Sequence, residues 1–161
     1  MDFANLVPVI GTIWSIEKGE NCCSRIVAVR SGRDIVNFVV TPETIMIDNR
    51  QLRPGMRIAA FYDSSLPAPL IFPPQYRAQL ITTLRKNEQI MLNYFDGSLT
   101  AEDHSLRLTP DRMTEIRTIN GQDFNCNVGD HALLVYYTET TRSIPPQTTP
   151  RRIIVICGSG Y

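Results

Sequence analysis

RIAAFYDSSLPAPLIFPPQYRAQLI, from Arg57 to Ile81, decides the fold. An apolar run leads into a connection that holds Pro67, Pro69, Pro73 and Pro74, and a second apolar run follows. Proline cannot donate to a sheet ladder, so the connection is kept out of any central sheet and the flanking runs read as strands. HALLVYYTETTRSIPPQTTPRRIIVI, from His131 to Ile156, has the same order of parts. Pro73-Pro74-Gln75 and Pro145-Pro146-Gln147 lie 72 residues apart, Thr41-Pro42 and Thr109-Pro110 lie 68 apart, and Gly55 and Gly129 lie 74 apart. Three landmarks at a near-constant offset indicate an internal duplication into two β modules, residues 1–80 and 81–161.

The remaining sequence alternates with period two. Ile26 to Val29 and Ile35 to Val40 flank Ser31-Gly32-Arg33-Asp34, a hairpin pattern, and Met56 to Tyr62 gives the next strand. In the second module the strands are expected at Gln89 to Phe95, Ser105 to Leu108, Met113 to Ile119, Ala132 to Thr138 and Arg151 to Cys157. Asp96-Gly97 and Asn120-Gly121 mark turns, and no window supports a long amphipathic helix. The expected fold is all-β: two tandem, OB-like Greek-key barrels sharing or abutting a central strand at Tyr76 to Arg85, with a β-sandwich as the alternative.

Composition limits the function classes. A hydrophobic fraction of 43% over 161 residues supplies a core, while no run of about 18 apolar residues exists to span a membrane as a helix. The start of the chain has no basic segment and no long apolar run, so synthesis in the cytoplasm is expected. Sixteen basic and sixteen acidic residues cancel, which argues against nucleic acid as a partner. The charge is uneven along the chain, however: ten basic against seven acidic residues up to Lys86, then six against nine. Opposite signs on similar modules favour head-to-tail contact. Only Lys18 and Lys86 are lysines, and arginine is the cation that interfaces favour.

Val9-Ile10-Gly11-Thr12-Ile13, Val36 to Pro42, the run from Phe61 through Ile71-Phe72-Pro73-Pro74-Gln75 to Ala78, and Thr141-Arg142-Ser143-Ile144-Pro145-Pro146-Gln147 carry a resemblance. Over most of its length the chain resembles small uncharacterised proteins of anaerobic spore-forming Gram-positive bacteria. The resemblance implies a bacterial β protein without a signal peptide and attaches no activity to it. More loosely, a lysine-poor chain with adjacent cysteines is similar in style to structural proteins of spore surfaces, which makes a spore or cell surface a second expected location.

No catalytic constellation stands out. Cys22-Cys23, Cys126 and Cys157 form no C-x-x-C pair, so neither a metal site nor a cofactor is expected. Cys22 and Cys23, in a polar loop, are candidates for an intermolecular disulfide, and Cys157 reads as a buried small hydrophobe. His104 and His131 belong to no triad, because Asp103-His104-Ser105 alternates its side chains across a strand. The Gly158-Ser159-Gly160-Tyr161 tail is no phosphate loop. The Pro-rich loops are the best candidates, and Leu70, Ile71, Phe72, Arg142 and Ile144 are the expected assembly contacts. The expected function is therefore a non-enzymatic scaffold whose partner is itself, as a ring or filament. The alternative is an OB-type module for an oligonucleotide or oligosaccharide, stacking on the seven strand aromatics Phe38, Phe61, Tyr62, Tyr94, Phe95, Tyr136 and Tyr137, at least half of which alternation assigns to the core; a basic stripe of Arg25, Arg30, Arg33 and Arg57 would favour it.

Overall fold

A computed structural model of the chain describes residues 3–158; Met1, Asp2 and the last three residues of the C-terminal tail lie outside the described residues. The chain is all-β and divides into two compact units, Asn5–Lys86 and a second that takes in 3–4 and 87–158. The first contains β1 (Leu6–Lys18), β2 (Arg25–Ser31), β3 (Asp34–Val40), β4 (Ile45–Met46), β5 (Arg57–Asp63), β6 (Gln75–Arg77) and β7 (Leu80–Thr83), with a 3-10 turn at Ile47–Asn49. These strands form one mixed sheet in the order β4-β7-β5-β1-β2-β3-β6.

Two local features shape that sheet. Gly32 takes φ +63 at the first central position of the two-residue turn between β2 and β3, where glycine costs nothing. β1 serves two neighbours: Leu6 to Thr12 pair with β5, Thr12 to Lys18 pair with β2, and a bulge between Ile13 and Ser15 bends the strand from one to the other. Val27 and Val29, Ile58 and Ala60, and Phe38 and Ile81 meet in the core with Ile13. Alternate residues, Val27 and Val29 of β2 and Ile58 and Ala60 of β5, face this core, while Ala28, Ala59 and Phe61 between and beside them are buried on the other face.

The second unit contains β8 (Gln89–Phe95), β9 (Arg107–Leu108), β10 (Glu115–Thr118), β11 (His131–Tyr137), β12 (Gln147–Thr148) and β13 (Arg152–Ile156). Four of them pair as β10-β13-β11-β8 and two as β12-β9. Bridges Phe95 to Ala101 and Thr100 to Arg107 link β8 to β9. Through them the order becomes β10, β13, β11, β8, Thr100–Ala101, β9, β12, the same succession as in the first unit with the place of β2 reduced to two residues. Phe95, Leu106, Leu133, Val135, Ile153 and Val155 fill this core.

Individual hydrogen bonds correspond as well. The Asn37 N–H donates to the Pro74 carbonyl in one unit, and that of Arg107 to the Pro146 carbonyl in the other, both at 2.8 Å. The Thr44 hydroxyl donates to the Ala78 carbonyl at 2.9 Å, and that of Thr114 to the Pro150 carbonyl at 2.7 Å. These bonds correct two expected landmarks. Thr41, whose carbonyl accepts from the Thr44 N–H, is matched by Asp111, which accepts from Thr114, and not by Thr109. Gly55, bonded to the Ile13 carbonyl, is matched by Asp130, bonded to the Phe95 carbonyl, and not by Gly129. Gly55 and Asp130 both hold a left-handed φ, +92 and +62, a conformation that aspartate tolerates and that residue identity alone does not reveal.

The expected strand shared from Tyr76 to Arg85 does not form. Its first part is β6, parallel to β3, and its second part is β7, between β4 and β5. Between them the Ala78 N–H donates to the Val39 carbonyl and the Gln79 N–H to the Phe61 carbonyl, so the chain changes partner at two residues. The second unit opens instead on its own strand, β8. Among the described residues no helix is long and apolar enough to cross a membrane.

Candidate functional site

The two Pro-rich loops leave their units at corresponding places, one between β5 and β6 and the other between β11 and β12. Each is fastened at its ends. In the first, the Asp63 carboxylate accepts from the Ser65 N–H and hydroxyl at 2.9 and 2.6 Å, and the Pro74 carbonyl is held by Asn37. In the second, the Thr141 and Ser143 hydroxyls lie 2.6 Å apart, Ser143 donates to the Pro145 carbonyl, and Thr141 accepts from the Gln147 N–H. Phe72-Pro73 and Ile144-Pro145 are both cis. With the ends held, the middle stands in solvent: Leu70, Ile71 and Arg142 are exposed, Phe72 is 94% exposed and Ile144 99%. All five expected contacts are thus displayed, two crests in matching loops.

Beside the first crest lies a cleft of about 560 Å³. Its walls come from the β1–β2 loop (Gly19 to Ser24, without Cys22), from the Pro-rich loop at Leu66 to Pro69, and from the ends of β3, β5 and β6. Three rings run from the core to this cleft. Phe38 is fully buried, Tyr76 lies against it with centroids 6.2 Å apart, and Tyr62 stacks on Tyr76 at 3.9 Å and 13°. Tyr62 and Tyr76 line the cleft, whereas Phe38 does not. Burial, and then Tyr76, raises the pKa of the Tyr62 hydroxyl above its ordinary value. The cleft also carries polar groups that the protein leaves unused: Glu20, Gln75 and Gln79 make no hydrogen bond through their side chains among the described residues, and Asn21 spends its oxygen on the Cys23 N–H at 2.9 Å.

The corresponding place in the second unit is different. A smaller hollow of about 340 Å³ is lined by threonines with Glu139 and Gln147. Phe38, Tyr76 and Tyr62 are matched there by Leu108, Thr148 and Tyr137, so the ring series is missing. Four of its six threonine hydroxyls are committed: Thr109 lies 2.9 Å from Thr149, Thr141 accepts from the Gln147 N–H, and Thr148 donates to the Glu139 carbonyl.

Other expectations change. Cys22, Cys23 and Cys126 are free and exposed, and so is Cys157, against the expected burial, because β13 ends at Ile156 and the chain has left the sheet. The arginine stripe does not form. β2 pairs without a bulge against β3, so Arg25 and Arg30, five residues apart, point to opposite faces. Arg25 caps its own loop at the Cys22 and Ser24 carbonyls, Arg30 lies over the Trp14 ring at 3.8 Å, and Arg57 donates to the Arg85 carbonyl. Of the seven strand aromatics, Phe38, Phe61, Phe95 and Tyr136 are buried. His104 is exposed; the His131 ring sits 2.8 Å from the Gly129 carbonyl and meets Phe124 edge-on, and neither histidine lines the cleft. Among the described residues no three His, Cys, Asp or Glu side chains are grouped to hold a metal. Tyr76, Gln75, Gln79 and Asn21 escaped the sequence reading as site residues, although a tyrosine on each side of the Pro-rich loop was a visible signal. Compared with known proteins, the chain matches no family model, no curated protein and no solved structure.

Proposed function

We propose that the protein is a non-enzymatic, self-associating β protein built from a duplicated module, with the two Pro-rich crests as its contact surfaces. The fold we infer for each module is a five-stranded Greek key of the OB type. With β6 and β7 taken as halves of one strand, β1, β2, β3, that strand and β5 succeed one another around a path that returns to β1. Equivalent hydrogen bonds in the two units support the duplication.

The observation that carries self-association is the display of Leu70, Phe72 and Ile144 in solvent on loops fastened at both ends. A pre-formed crest loses little entropy on docking, and burying one such side chain supplies about 1.5–3 kcal/mol. Charge selects the partner. Residues 5–86 hold ten basic and six acidic side chains, and residues 87–161 hold six and nine, so the first unit of one copy attracts the second unit of another. Contact between unlike faces is heterologous and propagates as a ring or a filament. Kinship with proteins of spore-forming bacteria, and a place on a spore or cell surface, belong to the same proposal.

Light scattering across a concentration series tests it. The mass is expected to rise with concentration, and Phe72→Asp or Ile144→Asp to weaken association at least tenfold, since a charge replaces an apolar contact. Breakdown of the assembly by reductant would place an exposed cysteine at the joint, and loss of the assembly in a Cys22→Ser, Cys23→Ser variant would assign that joint to Cys22 or Cys23. A monomer at every concentration sinks the proposal.

A further inference from the structure

The cleft of the first unit offers a site independent of the crests. Its floor is an aromatic face: the stack Phe38, Tyr76, Tyr62 begins in the core and ends at Tyr62, beyond which no further ring follows among the described residues. Stacking fixes Tyr62 from behind, so its ring is a rigid platform rather than a mobile side chain. Around it stand hydrogen-bonding groups with no protein partner among the described residues: the Gln75 and Gln79 carboxamides, both half-buried, the Asn21 amide nitrogen and the Glu20 carboxylate. Half-buried amides without protein partners are open to water, and a ligand's hydroxyls can take the place of that water. A cleft with one apolar platform and a few convergent polar groups is the usual form of a small-ligand site.

The chemistry of the walls narrows the ligand. The charged residues of the cleft are Glu20, Asp63 and Arg77, and Arg77 already lies 3.7 Å from Glu43. Two carboxylates and one paired cation repel a phosphate backbone, so a stacked nucleobase would bring charge the cleft does not welcome. A polyproline segment needs aromatic ridges and few hydrogen bonds, whereas this cleft has one aromatic face and several unspent amides. A neutral sugar ring fits both halves. The C–H groups on its face carry slight positive charge and suit the negative face of a tyrosine, and its hydroxyls donate and accept as carboxamides require.

We infer that the Tyr62 cleft binds a neutral oligosaccharide, one pyranose stacking on Tyr62 and neighbouring hydroxyls bonding to Gln75, Gln79 and Asn21. The second unit does not duplicate the site, because Leu108 and Thr148 stand where Phe38 and Tyr76 support the platform in the first.

The test is a titration of the full chain with cello-, malto-, manno- and chito-hexaose, followed by calorimetry and by the side-chain amide resonances of Gln75 and Gln79. At least one hexaose is expected to shift both amides. Tyr62→Ala should weaken it at least tenfold and Gln79→Ala several-fold, while Tyr62→Phe and the second-unit control Tyr137→Phe should leave it within twofold. The Gln79 variant keeps the test decisive if Tyr62→Ala fails to fold. No response to any hexaose overturns the inference, and so does an oligothymidine or a proline-rich peptide that shifts the same amides in their place. Repeating the titration on Ile144→Asp separates the two proposals: retained binding in a monomer means the site stands whether or not the crests assemble.

Discussion

Replacing Arg151 with alanine is expected to destabilise the second unit by about 3–5 kcal/mol. Glu88 precedes β8 with its side chain only 1% exposed, and Arg151 meets it in a two-pronged contact, Nε to Oε2 at 2.7 Å and Nη2 to Oε1 at 2.9 Å. The bonds to Glu88 raise the pKa of Arg151 above its ordinary value, against the opposing effect of burial, so the guanidinium stays charged. The same guanidinium lies 5.3 Å from the Tyr136 ring centroid, and its backbone N–H donates to the Tyr136 carbonyl where the chain enters β13. Truncation would leave a carboxylate in the interior without its fork, which is the costly way to break a buried pair. The reverse change is milder. Arg151 is partly exposed, so Glu88→Gln leaves a cation that water can still reach and should cost about 1–2 kcal/mol. Removing both charges as Glu88→Met with Arg151→Met should recover most of the stability, since apolar pairs replace buried ion pairs with little loss. Urea unfolding followed by circular dichroism would measure all three, and an Arg151→Ala variant within 1 kcal/mol of the parent would show that Glu88 does not depend on this contact.

How much of this was legible beforehand follows from what each feature depends on. Strands that alternate are written residue by residue, so β8 was read with its own limits and β5, β11 and β13 to within one residue. β6 and β12 were harder, because three- and two-residue strands carry no period and exist through the parallel partners β3 and β9. Pairing of that kind is a property of distant sequence. The Pro-Pro-Gln landmark kept its offset, as the equivalent bonds from Asn37 to the Pro74 carbonyl and from Arg107 to the Pro146 carbonyl show, while the Gly55 landmark drifted because Asp130 can hold the same left-handed conformation. The crests were legible, as apolar residues between prolines have no strand to hide in. The cleft was not: Tyr62 and Tyr76 are 14 residues apart in sequence and become neighbours only when β6 lies along β3.

Gly11→Ala is the second large effect, and it comes from backbone approach rather than from charge. Gly11 lies where β1 passes from β5 to β2: it pairs with Ile58, and the next residue, Thr12, pairs with both Arg57 and Arg30. A β-carbon on Gly11 would stand 2.2 Å from the Arg30 carbonyl oxygen and 2.8 Å from its carbon and from Val29 Cγ1. Two of those atoms belong to backbone held by the β1–β2 ladder, and Val29 is fully buried, so none yields by turning a flexible side chain. Alanine there forces the strands apart at the junction on which the sheet turns, at a cost of about 3 kcal/mol, the upper range for overpacking, and Gly11→Val is expected to prevent the first unit from folding. Gly97→Ala supplies the control, because a β-carbon there meets only an Asp130 carboxylate oxygen at 3.6 Å, and it should change stability by about 0.5 kcal/mol or less. Trp14 is the only tryptophan and sits under Arg30, three residues from Gly11, so its fluorescence reports the unfolding of this unit directly. A Gly11→Ala protein whose Trp14 signal unfolds at the parental urea concentration would mean that β1 crosses to β2 with more room than these distances allow, and with it the account of β1 as a strand bent between two partners would fall.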